Sequence, residues 1–174
     1  MTEQSSTVSF PQAIAKTQEL MLQMTDNRLS EAEIESAIAD IVASKTGARG
    51  FFVAYLTGDL PLADNPSQGV IEGLRSSPEI VSDLLVKNLA MSAAMKLTHL
   101  QNSDETAALG SQRVNNRTIK LIQKLNLTKV KQEAKDLEST IVQGSGNYQE
   151  FLTRWGYDRE QQAQIKKAIS LISM

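Results

Sequence analysis

A single histidine, His99, and no cysteine bound the chemistry open to this chain. One histidine cannot make a two-histidine metal site, and no His-Glu-x-x-His run is present. The lack of cysteine removes disulfides, thiol nucleophiles, thiolate-held zinc or iron–sulfur clusters and thioether-attached pigments. Neither a metal nor a cofactor is therefore expected. His99 could still act as a general base or as an axial ligand to a haem or chlorophyll metal. It stands near the end of a long apolar run, however, where an imidazole also complements the negative end of a helix dipole, and a structural role is the simpler expectation. No serine lies in a Gly-x-Ser-x-Gly elbow.

Two loops offer weaker signals. Gly47-Ala48-Arg49-Gly50 lacks the spacing of either the Walker or the dinucleotide fingerprint. Its glycines could present N–H groups to an anion beside Arg49, but a tight helix–helix turn is the favoured explanation. Asp59, Asp64 and Asn65 lie in a proline-containing stretch, 59–68, that does not follow the alternation of a calcium loop. A small-ligand carrier or an enzyme, with its pocket near Arg49, Asp59 and His99, is one reading of this region.

The most specific functional pattern is basic. Arg113, Arg117, Lys120 and Lys124 fall at i, i+4, i+7 and i+11 and would project along about 16 Å of one helix. Lys129, Lys131 and Lys135 prolong the positive surface beyond the turn at Asn126-Leu127-Thr128. Such a row suits several phosphates or a row of carboxylates, and the helix–turn–helix sense of 112–143 raises the nucleic-acid reading. Glu133, Asp136 and Glu138 dilute the second helix, and the sequence pI of about 5.5 lacks the basic excess of a nucleic-acid binder. A solvated surface face would produce the same stripe. A protein partner with an acidic surface is the leading functional expectation, with nucleic acid second. Tyr148, Phe151, Trp155 and Tyr157 gather four aromatics close to the C-terminus. They could anchor a partner, or glue a terminal hairpin onto the rest. The expected partner-binding set is Arg113, Arg117, Lys120, Lys124, Lys131, Trp155 and Tyr157, in a non-enzymatic adaptor or regulatory module.

Helices must position these groups. The run Pro78–Leu100 places Ile80, Val81, Leu84, Leu85, Val86, Leu89, Met91, Met95, Leu97 and Leu100 around most of a cylinder. That is the pattern of a helix enclosed by others. Asp83, Lys87, Asn88, Lys96 and His99 interrupt it too often for a membrane span. Ser9 with Gln12, Ser30 with Glu33 and Asp158 with Gln161 are capping boxes that open further helices. Gly47 is expected to stop the second of these, with a short buried helix (or a strand) between Gly50 and Gly58. A short helix spans roughly 68–75. Ser103 or Asp104 should cap a helix that could break at Gly110, Asn126 suits a left-handed end, and Thr128 could cap the next. Gly144-Ser145-Gly146 is a break, and Gly156 closes a short aromatic helix.

The sum is an all-α, irregular bundle of about eight or nine helices around a central buried helix, 78–100. Hydrophobic content of 41% against 22% charged residues fits a packed globule rather than a disordered chain. The 174 residues are expected to form a single domain, 1–174, onto which a C-terminal hairpin, 147–174, docks. Residues 1–109 carry 7 Lys/Arg against 14 Asp/Glu, a balance of −7; residues 110–174 carry 11 against 6, a balance of +5. This polarity suits either an acidic partner for the basic half or head-to-tail association of copies, and the all-round apolar helix leaves a homo-oligomer open. The start, MTEQSSTVSFPQ, has neither a basic nor an apolar export region, so a cytoplasmic location without membrane contact is expected, and Asn116-Arg117-Thr118 and Asn126-Leu127-Thr128 are chance glycosylation matches.

Overall fold

The computed structural model describes residues 7–172, and among them all regular structure is helical, with no strand. Nine α-helices and one 3₁₀ turn follow in order: α1 Phe10–Thr25, α2 Glu31–Val42, α3 Lys45–Thr57, the 3₁₀ turn Pro61–Asp64, α4 Gln68–Arg75, α5 Pro78–Gln101, α6 Glu105–Leu125, α7 Thr128–Gln143, α8 Gln149–Trp155 and α9 Arg159–Ile172. The chain forms two compact units, 1–81 and 82–174, with the boundary inside α5.

In the first unit the capping residues set the helix starts. Ser9 and Gln12 exchange hydrogen bonds at 3.2 and 3.0 Å, and Ser30 and Glu33 do so at 3.2 and 2.7 Å. Asn27, in the left-handed region at φ 55°, turns the chain after α1. α1 packs on α3, α2 on α4, and α2 also touches α1 and α3. Small residues make the first two contacts close. A Cβ added at Gly50 of α3 would stand 2.5 Å from Ala13 Cβ of α1, and one at Gly73 of α4 would stand 2.8 Å from Ile38 Cβ of α2. Glu31 adds a polar tie, its Oε2 accepting from the Gly69 N–H at 2.6 Å. Ile38, Val42, Phe51, Phe52, Tyr55, Val70 and Leu74 form the core, with the Phe51 ring stacked on Tyr55 at 5.1 Å.

Gly47 does not stop α2. Ser44 caps α3, its Oγ accepting from the Gly47 N–H at 3.0 Å, so Gly47 and Gly50 lie inside a helix that runs from Lys45 to Thr57. The helical reading of the aromatic stretch holds, and the strand alternative falls.

In the second unit α5 is buried on several sides over its middle turns. Leu84, Leu85, Val86, Leu89, Ala90, Ser92 and Ala94 are all covered, whereas Met95 and Leu100 near its end are exposed. α6 is bound to it by Asn115 to Ser92 Oγ at 3.0 Å and by Lys96 to Gln112. α6 runs through Gly110 without a break, because the helix opens with Asp104 accepting from the Ala107 N–H at 3.1 Å and closes at Asn126 in the left-handed conformation. Thr128 is the first residue of α7, not its cap; Leu127 precedes it with no side-chain cap. The C-terminal hairpin α8–α9 turns at Gly156, where φ is 61°, and the Asp158–Gln161 capping box forms at 2.9 and 2.8 Å. α9 packs on α7 and α6, and Gln161 donates to Thr98 Oγ1 of α5 at 2.8 Å.

Candidate functional site

The basic row survives in part. Arg113, Lys120 and Lys124 are exposed on α6, and Lys131 and Lys135 are exposed on α7. Arg117 is only 3% exposed and does not belong to a solvated stripe. The reason is angular: at about 100° per residue, Arg117 lies about 40° from Arg113 and equally about 40° from the core residue Leu121. Arg117 is therefore the member of the row nearest the packed face of α6, made by Ala108, Thr118, Leu121, Ile122 and Leu125, while Lys120 and Lys124 fall back toward Arg113.

The aromatic group also divides. Trp155 is 51% exposed at the end of α8, with the Arg154 guanidinium 5.9 Å from its ring. Tyr157 is buried, its ring edge-on to Phe151 at 5.9 Å, and burial pushes its phenol up to about 12. Tyr157 thus serves packing, and Trp155 alone of the expected aromatic pair faces outward.

Tyr148 is the centre of a polar cluster that sequence reasoning missed. Its hydroxyl lies 2.6 Å from Glu133 Oε2 of α7 and 3.2 Å from Asp83 Oδ1 of α5. Each carboxylate has its own lysine: Lys87 Nζ is 3.0 Å from Asp83 Oδ2, and Lys129 Nζ is 3.1 Å from Glu133 Oε1. The phenol owns one proton, so it donates at the shorter distance, to Glu133. Burial first, then the hydrogen bond to Glu133 and the charge of Asp83, push the Tyr148 phenol far above the ordinary tyrosine range. The Tyr148 N–H donates to Thr140 Oγ1 at 3.3 Å, and the Lys87 ammonium stands 5.8 Å from the Phe151 ring. The charges balance, two lysines against two carboxylates, which is the condition for holding them half-buried. The two ion pairs are legible as i, i+4 spacings; their meeting at a tyrosine on a third element is not.

The remaining candidates find mundane surroundings. The Arg49 guanidinium lies 5.4 Å from the Phe10 ring, and the N–H of Gly47 is taken by Ser44. His99 is half-buried in the last turn of α5. Asp64 ends the 3₁₀ turn and, like Asp59 and Asn65, is exposed. Among the described residues no three His, Asp or Glu side chains are placed to hold a metal ion, and no helix is long and apolar enough to cross a membrane.

A protein-family model, described as uncharacterised conserved protein UCP020893, matches residues 9–172. The chain belongs to that family. No curated protein and no solved structure matches the chain. The family match runs from the Ser9 cap to the last described turn of α9, so both compact units belong to it.

Proposed function

We propose that this protein acts by binding another macromolecule, a protein with an acidic surface, and not by catalysing a reaction. The observation that supports this reading is the set of exposed cations, Arg113, Lys120, Lys124 and Lys131, on two consecutive helices of a chain whose net charge is −2. A positive field over one region of a weakly acidic protein steers anionic partners, and the exposed Trp155 supplies an indole of the kind that anchors interfaces. Arg117 and Tyr157 drop out of the surface because they are buried. The acidic pI and the carboxylates Glu133 and Asp136 on α7 favour a protein over nucleic acid.

The test is a tagged pull-down from native extract, comparing wild type with Lys120→Glu/Lys131→Glu after matching their circular dichroism and melting temperature. A protein captured by wild type and lost from the variant is the expected result. Equal capture by both would remove the surface from consideration. Capture that nuclease treatment abolishes would replace the protein partner with nucleic acid.

A further inference from the structure

The two compact units carry opposite charge. Residues 1–81 hold 5 Lys/Arg against 11 Asp/Glu, a balance of −6, and residues 82–174 hold 13 against 9, a balance of +4. The sums hide a sharper contrast between individual helices. α2 contains four carboxylates and no cation, and Glu33, Glu35 and Asp40 on it are exposed. The last twelve residues of α9, 161–172, contain Lys166 and Lys167, both exposed, and no acid. On α7, which packs against α9, Lys131 and Lys135 are exposed, while the helix as a whole is neutral, its three lysines matched by Glu133, Asp136 and Glu138.

Exposed apolar side chains accompany the charge in both units. In the second unit Leu171 is 50% exposed one turn beyond Lys167, whereas Val142, 65% exposed, follows the exposed Glu138 by one turn. In the first unit Leu22 is 58% exposed one turn beyond the exposed Glu19 of α1, which itself packs on α2. Each unit thus offers an apolar side chain bordered by charge, and the sign in one is the reverse of the other. We propose that the second unit of one chain docks, through α9 and the exposed lysines of α7, on the acidic α2 surface of a second copy. The proposal rests on the binding reading above and names its partner.

The contact joins different surfaces of the two copies, so each chain has one surface of each sign to offer. Exposed ion pairs contribute little singly, which makes the association weak and salt-sensitive, with the exposed leucine side chains providing the water-excluding part. The opposed charges act chiefly by steering the encounter and by disfavouring like-on-like contacts.

The test is sedimentation equilibrium of the purified full chain from about 10 to about 500 μM, at low salt and at about 1 M salt, where the Debye length falls to about 3 Å. Wild type should exceed the mass of one chain at low salt, with association weakened at least about tenfold at high salt. Lys135→Glu/Lys167→Glu and, separately, Glu35→Lys/Asp40→Lys should each be monomeric with unchanged circular dichroism. An equimolar mixture of the two variants should regain association, because the unaltered acidic surface of the first then meets the unaltered basic surface of the second, and the two reversed surfaces also carry opposite charge. A wild type monomeric throughout, an association indifferent to salt, or a mixture that stays monomeric would each overturn the proposal. A monomeric chain that still captures a different protein through Lys120 and Lys131 overturns only the second-copy partner; a chain that does neither overturns the binding reading as well.

Discussion

At Tyr148 one hydroxyl serves two carboxylates. Replacing it with phenylalanine removes the only proton the centre can place between Glu133 and Asp83, while both ion pairs to lysine remain. The expected loss for Tyr148→Phe is about 1–3 kcal/mol, read from urea unfolding, with Tyr157→Phe costing less because burial alone perturbs that phenol. A loss no larger than that of Tyr157→Phe would show that the lysine pairs carry the centre without the phenol. The same two tyrosines set the alkaline limit. Both phenols are raised above the unfolded value of about 10, so above that pH the unfolded chain gives up protons that the folded chain keeps. Their contribution is whole below about pH 10 and declines as pH rises, through about 12 for Tyr157 and beyond it for Tyr148. Melting temperature followed upward from pH 9 should fall for wild type, and the fall should be shallower in Tyr148→Phe. At this scale the sequence exposed what is local. Ser9 with Gln12 and Asp158 with Gln161 cap as their spacing implies, since a capping box needs only four residues. Arg117 could not be placed, because whether a residue 40° from a helix's apolar face is covered depends on its neighbours, and Tyr157 could not because it lies between α8 and α9, where no helical period applies.

Glycine governs the element scale in the first unit. Gly50 lets α1 and α3 approach until an added Cβ would sit 2.5 Å from Ala13 Cβ and 3.0 Å from the Phe10 carbonyl. Gly110, also inside a helix, has nothing within 4 Å of the same position. The two therefore respond oppositely to alanine. Gly110→Ala should stabilise by about 0.5–1 kcal/mol through helix propensity and reduced freedom of the unfolded chain. Gly50→Ala should destabilise by about 1–3 kcal/mol, because overpacking of a helix contact outweighs that gain. Paired thermal melts check this, and a stabilised Gly50→Ala would mean that α1 and α3 separate at little cost. The contrast explains which punctuation misled. Gly47 reads as a stop and Gly110 as a break when glycine is taken for a conformational signal, whereas Gly47 and Gly50 are interior helix residues and Gly110 is merely tolerated. Gly144 and Gly156 read correctly, since at φ 73° and 61° they occupy the left-handed ends that glycine favours. The period of the apolar residues found the helices of both units; it carries no information on which helices pair.

Charge polarity belongs to the whole molecule, and it separates this chain from another with the same net charge of −2. A protein whose charges are evenly mixed at that balance has no reason to hold to a negatively charged matrix at pH 7. Here Lys131, Lys135, Lys166 and Lys167 are exposed on two helices that pack together. The chain should therefore be retained at low salt on a sulfonate cation exchanger as well as on an anion exchanger, despite its pI of about 5.5. Because opposed charges on a surface are screened over about 10 Å at 0.1 M salt, elution should come near that concentration. Lys135→Glu/Lys167→Glu should pass through the cation exchanger while binding the anion exchanger more tightly. Passage of wild type through the sulfonate column would mean that the first unit's carboxylates cancel the cations at the range the matrix senses, and an acidic partner would then meet no net attraction either. Retention of wild type with loss in the variant ties the field to α7 and α9, which is the condition that docking on a second copy requires.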